Sequence, residues 1–413
     1  MNKQKIEFAT VFLNQLIFGL TPLILMKLLA QFLPPHYFGL YSLITSMCAF
    51  ILALPFDPLS HGQIRTLVEY QANNSELATF VISSSFLYGF FLFVYLVIFM
   101  IVAFNPIVPI YWRHIAWFLF FFVISQVVWS YFVSFFNGIR KRTYAFFIAL
   151  IALICNCGAL LIYFIGFTGK SIQIVLFLLA ASNLLSTIII ANGYIRSLFN
   201  NTAWHFDKAC IQAIWRISCP LIITGVFVWL RSMTNRWLLD WYVDKEAVAA
   251  FSILSSIAIL VPTALQGILS GYFMPIFYAR ESVEPGYTRR KTKILISWMG
   301  LFGLITSFIV LVLNKWIVVI FSAAHYLQYA YLLLPMYISF FIYIFGSVSV
   351  LVILAEKRTN SMLIPTMFVV CISSGLAVVM TKHWGLNGAV WNFCITYLAF
   401  ALMLLWLSYK KKY

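Results

Sequence analysis

The stretch PLIITGVFVWLRSMTNRWLLDWY, residues 220–242, decides how this chain is read. It is almost wholly apolar, and about 20 apolar residues span a bilayer. Arg231 sits near its middle and Arg236 nearer its far end. An arginine at the centre of a membrane-spanning helix costs about 2.5–3.5 kcal/mol on insertion scales. A chain that keeps one there has a use for it.

The surrounding chain is of the same kind. Its 413 residues are 63% hydrophobic and 9% charged, with a mean hydropathy of +0.97. A soluble domain carries about 25% charged residues, so this composition indicates an integral membrane protein. The apolar runs are too long for outer-membrane barrel strands, which alternate over about 10 residues. The net charge of +16 would suggest nucleic acid in a soluble protein. Here it reads as the lysine and arginine that orient loops in a membrane, and no nucleic-acid partner is expected. The N-terminus runs into the first apolar segment without a small-residue cleavage site, which reads as an uncleaved span.

Hydropathy gives twelve expected spans: 8–33, 37–56, 79–104, 114–136, 144–166, 172–195, 220–242, 247–271, 294–313, 327–354, 361–381 and 387–408. With the N-terminus assigned to the cytoplasm, eighteen cations fall in inner segments and five in outer ones. Both termini are therefore expected inside. Two inner segments read as interfacial helices, one starting at Asp57-Pro58 and one capped by Asp207. No loop is long enough for a folded extramembrane domain.

The chain also repeats. Shifted by 210 residues, YSLITSM at 41–47 falls without a gap on FSILSSI at 251–257, and Pro35-His36 falls on Lys245-Glu246. Span 1 matches span 7 and span 2 matches span 8. Six spans per half is an even number, so the repeats run in the same sense about an axis along the membrane normal. The expected architecture is all-α: about twelve transmembrane helices in two six-helix lobes, 1–200 and 201–413. The lobes form a V around a central cavity walled by spans 1 and 7.

Chemistry is sought in the charges. In the repeat frame Lys27 and Arg236 lie at similar depth, with Arg231 deeper and Arg216 at the inner surface. On an ideal helix Arg216 and Arg231 are about 60° apart, and Arg231 and Arg236 about 140°. The candidate cationic cavity is Lys27, Arg231, Arg236, Arg216 and Arg65, since guanidinium groups bind phosphate in fork geometry. Simpler roles stand beside it: Arg216 as a surface anchor, Arg236 paired with Asp240 one turn on, Lys27 snorkelling to the outer interface. All eleven acids lie in loops or near helix ends. An exporter of cationic drugs needs an intramembrane carboxylate, so an anionic substrate is favoured. Asp57, Asp240 and Asn14 are the candidates for coupling or gating. Mid-span amides such as Asn14, Gln15, Gln126 and Asn183 also fit helix–helix contacts. The seven cysteines are scattered singly and the six histidines lack ligand spacing, so no disulfide framework, metal or other cofactor is expected.

Several stretches resemble a known family. LLAQFLPPHYFGLYSLITSM followed by GQIRTLVEY resembles the first helix pair of bacterial polysaccharide flippases of the Wzx type. These belong to the multidrug/oligosaccharidyl-lipid/polysaccharide exporter superfamily. RISCPLIITGVFVWLRSMTNRWLLDWYVDKEAVAAFSI resembles the opening of their second half. YAYLLLPMYISFFIYIFGSVSVLVILAEKRTN and KHWGLNGAVWNFCITYLAFALMLLW resemble their tenth and last spans. The resemblance implies a non-enzymatic flippase in the bacterial inner membrane. Such a protein moves an undecaprenyl-pyrophosphate-linked oligosaccharide, of O-antigen or another surface glycan, between leaflets. Its implied partners are that lipid-linked oligosaccharide, membrane lipid, and glycan polymerase or chain-length proteins. Cationic cavity residues would hold the pyrophosphate. Two positions depart from the family pattern: Asn235 stands where many relatives have an acid, and Asp57-Pro58 is unusual at the end of the second span. The alternatives are an ion-coupled multidrug exporter of the same superfamily, which predicts a mid-span carboxylate, and a membrane glycan polymerase, which predicts a substantial outer loop.

Overall fold

The computed structural model describes residues 3–70, 73–107, 109–167, 171–200, 205–269, 273, 277, 280–281, 284, 286–355 and 363–409. The side chains of residues 3–16 lie outside the described set, Asn14 and Gln15 among them. So do Lys170, Lys357, Arg358 and the tail lysines.

The described chain is helical throughout. In order it forms α1 (Lys3–Phe32), α2 (Pro35–Ile51), α3 (Asp57–Leu67), α4 (Asn74–Phe104), α5 (Ile110–Gly138), α6 (Arg142–Gly166) and α7 (Ile172–Phe199). These are followed by α8 (Lys208–Tyr242), α9 (Lys245–Ile268), α10 (Tyr287–Phe321), α11 (Leu333–Ala355) and α12 (Leu363–Tyr409). Ten helices among the described residues are long and apolar enough to cross a membrane. The expected twelve spans differ from this number at the chain ends. That number leaves out α1, a helix of 30 residues of which only the side chains of 17–32 are described. Expected spans 11 and 12 both lie within 363–409, where two helices meet at a kink at Gly385, whose φ of 55° and ψ of −131° favour a residue without a Cβ.

Apolar faces turn outward here, as a lipid solvent requires. Phe90, Phe93, Ile101 and Phe104 on α4 are exposed, as are Leu304, Phe308 and Val312 on α10. Helix starts are capped where the chain leaves a loop. Asn73 accepts from the Glu76 N–H at 2.9 Å, and Asp244 from that of Ala247 at 2.7 Å. Asp207 accepts from Ala209 at 2.8 Å, the cap expected from sequence.

Neither expected interfacial helix is set off from its neighbouring helix by a loop. Asp57 has helical φ and ψ and caps nothing. A π-helical turn at Leu52–Phe56 carries α2 into α3, so 35–70 is one apolar helix. Pro55 and Pro58 lack the N–H that a regular helix would pair, and the wider turn accommodates them. Likewise α8 runs from Lys208 through Pro220 without a break.

By contacts the chain forms two compact units. One comprises Met1–Leu43 with Leu230–Tyr413, the other Ile44–Trp229. These boundaries differ from those of the lobes read from sequence, since α1 groups with the later helices and packs on α9. The second unit is held at its centre by a buried polar network. Tyr88 donates to Gln63 Oε1 at 3.1 Å, and the Tyr131 hydroxyl meets Ser84 Oγ at 2.8 Å. In the first unit Ser42 and Ser252 share a hydrogen bond of 2.5 Å.

Candidate functional site: two buried guanidinium groups

Arg231 lies one residue inside the first unit, on α8. Its guanidinium carbon is 4.8 Å from the ring centre of Tyr343 on α11, and 5.4 and 4.5 Å from those of Tyr397 and Phe400 on α12. The three rings brace each other: Tyr343 is 5.3 Å from Tyr397 and 5.7 Å from Phe400. A guanidinium within about 6 Å of an aromatic ring centre is attracted by the ring quadrupole, by about 2 kcal/mol or more per contact when desolvated. The box therefore lowers the cost of burying this charge without neutralising it. The Arg231 Nε is buried and makes no hydrogen bond.

Arg236 lies five residues on. It donates to Met233 Sδ at 3.3 Å and to Ser255 Oγ on α9 at 3.5 Å, both weak contacts, and its Nε is also buried and unpaired. Tyr397 interacts with both guanidinium groups. Among the described residues neither arginine has a carboxylate partner. Asp240 pairs with Lys245 at 3.4 Å and not with Arg236. Asn235, the departure from the family pattern, accepts from Asn392 Nδ2 at 3.0 Å, which ties α8 to α12.

The other candidates sit elsewhere. Lys27 Nζ donates to the Val319 carbonyl at 2.8 Å, in the last turn of α10, where a cation complements both the free carbonyls and the helix dipole. Arg65 and Arg216 are exposed in the second unit. Asp57 is also exposed there, and its carboxylate has no hydrogen bond or ion pair among the described residues. Within the first unit Arg231 and Arg236 share Tyr397 as a neighbour, while Lys27 is engaged at the end of α10; Arg65, Arg216 and Asp57 belong to the second unit. The ring box was missed. Phe393, Tyr397 and Phe400 are spaced i, i+4, i+7, the signal of one helix face.

No family model and no curated protein matches this chain. Solved structures do. The lipid II flippase MurJ in an inward closed conformation superposes with a TM-score of 0.74 at 14% identity, over 97% of this chain and 87% of that one. An inward-facing multidrug resistance MATE family transporter of the MOP superfamily gives 0.66 at 14%, over 95% and 93%. A mutant of the Vibrio cholerae MATE transporter VcmN gives 0.60 at 14%, over 98% and 94%. The chain has the helical fold shared by these MATE transporters and MurJ.

Proposed function

We propose that this protein is a flippase for a lipid-linked oligosaccharide, with a polyprenyl pyrophosphate as the anchor and a surface glycan unit as the cargo. The observation that carries this reading is the pair Arg231 and Arg236: two buried guanidinium groups, each with an unpaired Nε and no acid beside it. A buried charge left unpaired is costly, and a pyrophosphate supplies the missing charge in the geometry that arginine binds best. The fold likeness to a lipid II flippase supports the same class of cargo. The headgroup would pass the arginines while the polyprenyl tail stays in lipid, and rocking of the helical repeats would change the side of access.

The test is Arg231→Ala at matched protein level, with surface glycan or transport of a lipid-linked glycan in vesicles as the readout. A charge-assisted hydrogen bond contributes about 1.5–3 kcal/mol, so transport falls about ten- to a hundredfold, and Arg231→Lys restores part of it. Transport at the wild-type rate in Arg231→Ala removes the arginine from the mechanism.

A second reading is an exporter of organic cations, as the MATE likeness suggests. The box of Tyr343, Tyr397 and Phe400 has the chemistry that recognises such cations, with Arg231 occupying it. The same variant separates the two. Arg231→Ala empties the box, so tetraphenylphosphonium binding rises under the exporter reading and stays absent under the flippase reading.

A further inference from the structure

Away from the arginine pair, charge is densest where the chain enters α10. Residues 280–293 hold five cations, Arg280, Arg289, Arg290, Lys291 and Lys293, against two acids, Glu281 and Glu284. Both acids are already engaged. Glu281 accepts the backbone N–H of Gly286 at 2.6 Å and of Thr288 at 2.7 Å, which fixes the turn into the helix. Glu284 pairs with Arg290, and Arg289 faces Glu281. Arg280, Lys291 and Lys293 remain exposed and, among the described residues, form no ion pair.

Each of the three is poised over an aromatic ring. Arg280 and Lys291 lie 6.0 and 5.9 Å from the centre of Tyr287, and Lys293 lies 5.8 Å from that of Tyr409 at the end of α12. One step along α10 the surface turns apolar: Ile294, Trp298 and Leu301 are 52%, 68% and 53% exposed. A cationic, aromatic-backed shelf thus adjoins an apolar strip on a single helix.

We propose that this end of α10, with Tyr409 of α12, is a binding surface for an acidic phospholipid. Its phosphate would lie among Lys291, Lys293 and Arg280, and an acyl chain would run along Ile294, Trp298 and Leu301. The adjacency selects this partner: a soluble anion would satisfy the shelf and leave the strip uncovered, and a zwitterionic lipid would cover the strip with its own ammonium against the lysines. The surface is independent of what the arginine pair carries.

The test uses the full chain in neutral detergent. Native mass spectrometry and thermal unfolding are followed while phosphatidylglycerol, phosphatidylcholine or inorganic phosphate is added. Phosphatidylglycerol is expected to bind and raise Tm; the other two have little effect. A cation near the surface contributes about a fivefold gain in affinity for anionic lipid, so Lys291→Gln with Lys293→Gln loses about 25-fold. Lys382→Gln, at an exposed lysine elsewhere, leaves affinity unchanged. Should the double variant fail to fold, the wild-type protein decides: its phosphatidylglycerol affinity is expected to fall steeply from 50 to 500 mM salt. Salt-independent binding, equal binding by the folded double variant, or equal stabilisation by inorganic phosphate would each overturn the proposal.

Discussion

Arg231 and Lys27 are both cations in apolar helices, yet they solve the problem differently. Arg231 is surrounded by polarisable rings with no hydrogen-bond acceptor for its Nε, whereas Lys27 delivers its charge to a carbonyl at a helix end. The two therefore respond differently to removal. Lys27→Met forfeits a helix-end interaction worth about 0.3–1 kcal/mol, so Tm falls by a few degrees at most while the transport proposed above stays near wild type. A large transport loss with unchanged Tm would return Lys27 to the substrate path. The Asn235–Asn392 pair is buried, and Asn392→Ala leaves the Asn235 amide without its donor. A buried polar group left unsatisfied costs about 1–3 kcal/mol, to be read by thermal unfolding. Replacing both by leucine should recover part of the loss; no recovery would show that the pair acts through more than its hydrogen bond. Both arginines were legible in the sequence because a charge stands out in an apolar run. The rings around Arg231 were not, since aromatic residues make up 18% of the chain and three more carry no contrast.

Helices were the most legible scale, because lipid demands long apolar runs and hydropathy reports them directly. Residues 74–104, 142–166 and 172–199 lie within a few positions of the expected spans. The interfacial helices were legible only in part. Pro58 does lie in the first turn of α3, but a π-helical turn joins α3 to α2 without a loop, and Pro220 lies within a helix that continues past it. Packing between elements then depends on small residues that hydropathy does not see. A Cβ on Gly62 would sit 2.3 Å from Ser218 Oγ and 2.7 Å from the Ile214 carbonyl, wedging α3 from α8. A Cβ on Gly158, midway along α6, meets nothing within 4 Å. Gly62→Ala should therefore destabilise by about 1–3 kcal/mol, and Gly158→Ala should stabilise by about 0.5–1 kcal/mol through helix propensity. Thermal unfolding of the two variants checks the contrast, and equal effects would refute the close approach of α3 and α8. The cap of α8 adds a pH dependence. Tyr70 donates to Asp207 at 2.5 Å, and this bond with the Ala209 N–H outweighs burial to hold the carboxyl below its ordinary value. A lowered carboxyl pKa stabilises above the unfolded value of about 3.9 and loses that contribution as pH falls through the folded value. Asp207→Asn should lower Tm at pH 7, and the effect should fade as pH falls through the folded carboxyl's lowered value.

At the scale of the whole chain, the repeat read from sequence accounts for contacts that composition could not place. The shift of 210 residues pairs Ser42 with Ser252, and these two serines meet each other at 2.5 Å. Residue and counterpart thus touch within the first unit. The same shift maps Gly19 onto Trp229 and Phe50 onto Leu260. Gly19 lies against Leu260 in one unit, and Trp229 packs on Phe50 with ring centres 4.8 Å apart in the other. Each contact is thus the counterpart of the other, with the first helix of one repeat packed on the second helix of its partner. Such cross-packing explains why contacts group α1 with the later helices although the duplication falls midway along the chain. Hydropathy marks where spans lie but carries no term for which spans touch, so this grouping was not legible even where the repeat was. The serine pair makes the relation testable. Side chains whose oxygens lie 2.5 Å apart place their Cβ atoms near the 3.5–4.5 Å that a disulfide requires. Ser42→Cys with Ser252→Cys, native cysteines retained, should therefore crosslink under mild oxidation, and mass spectrometry of digested protein should recover the two segments as one linked peptide. Ser42→Cys alone gives no such peptide. Failure of the double variant to crosslink in folded protein would mean that the two repeats do not meet at this point. The repeat would then rest on sequence likeness alone.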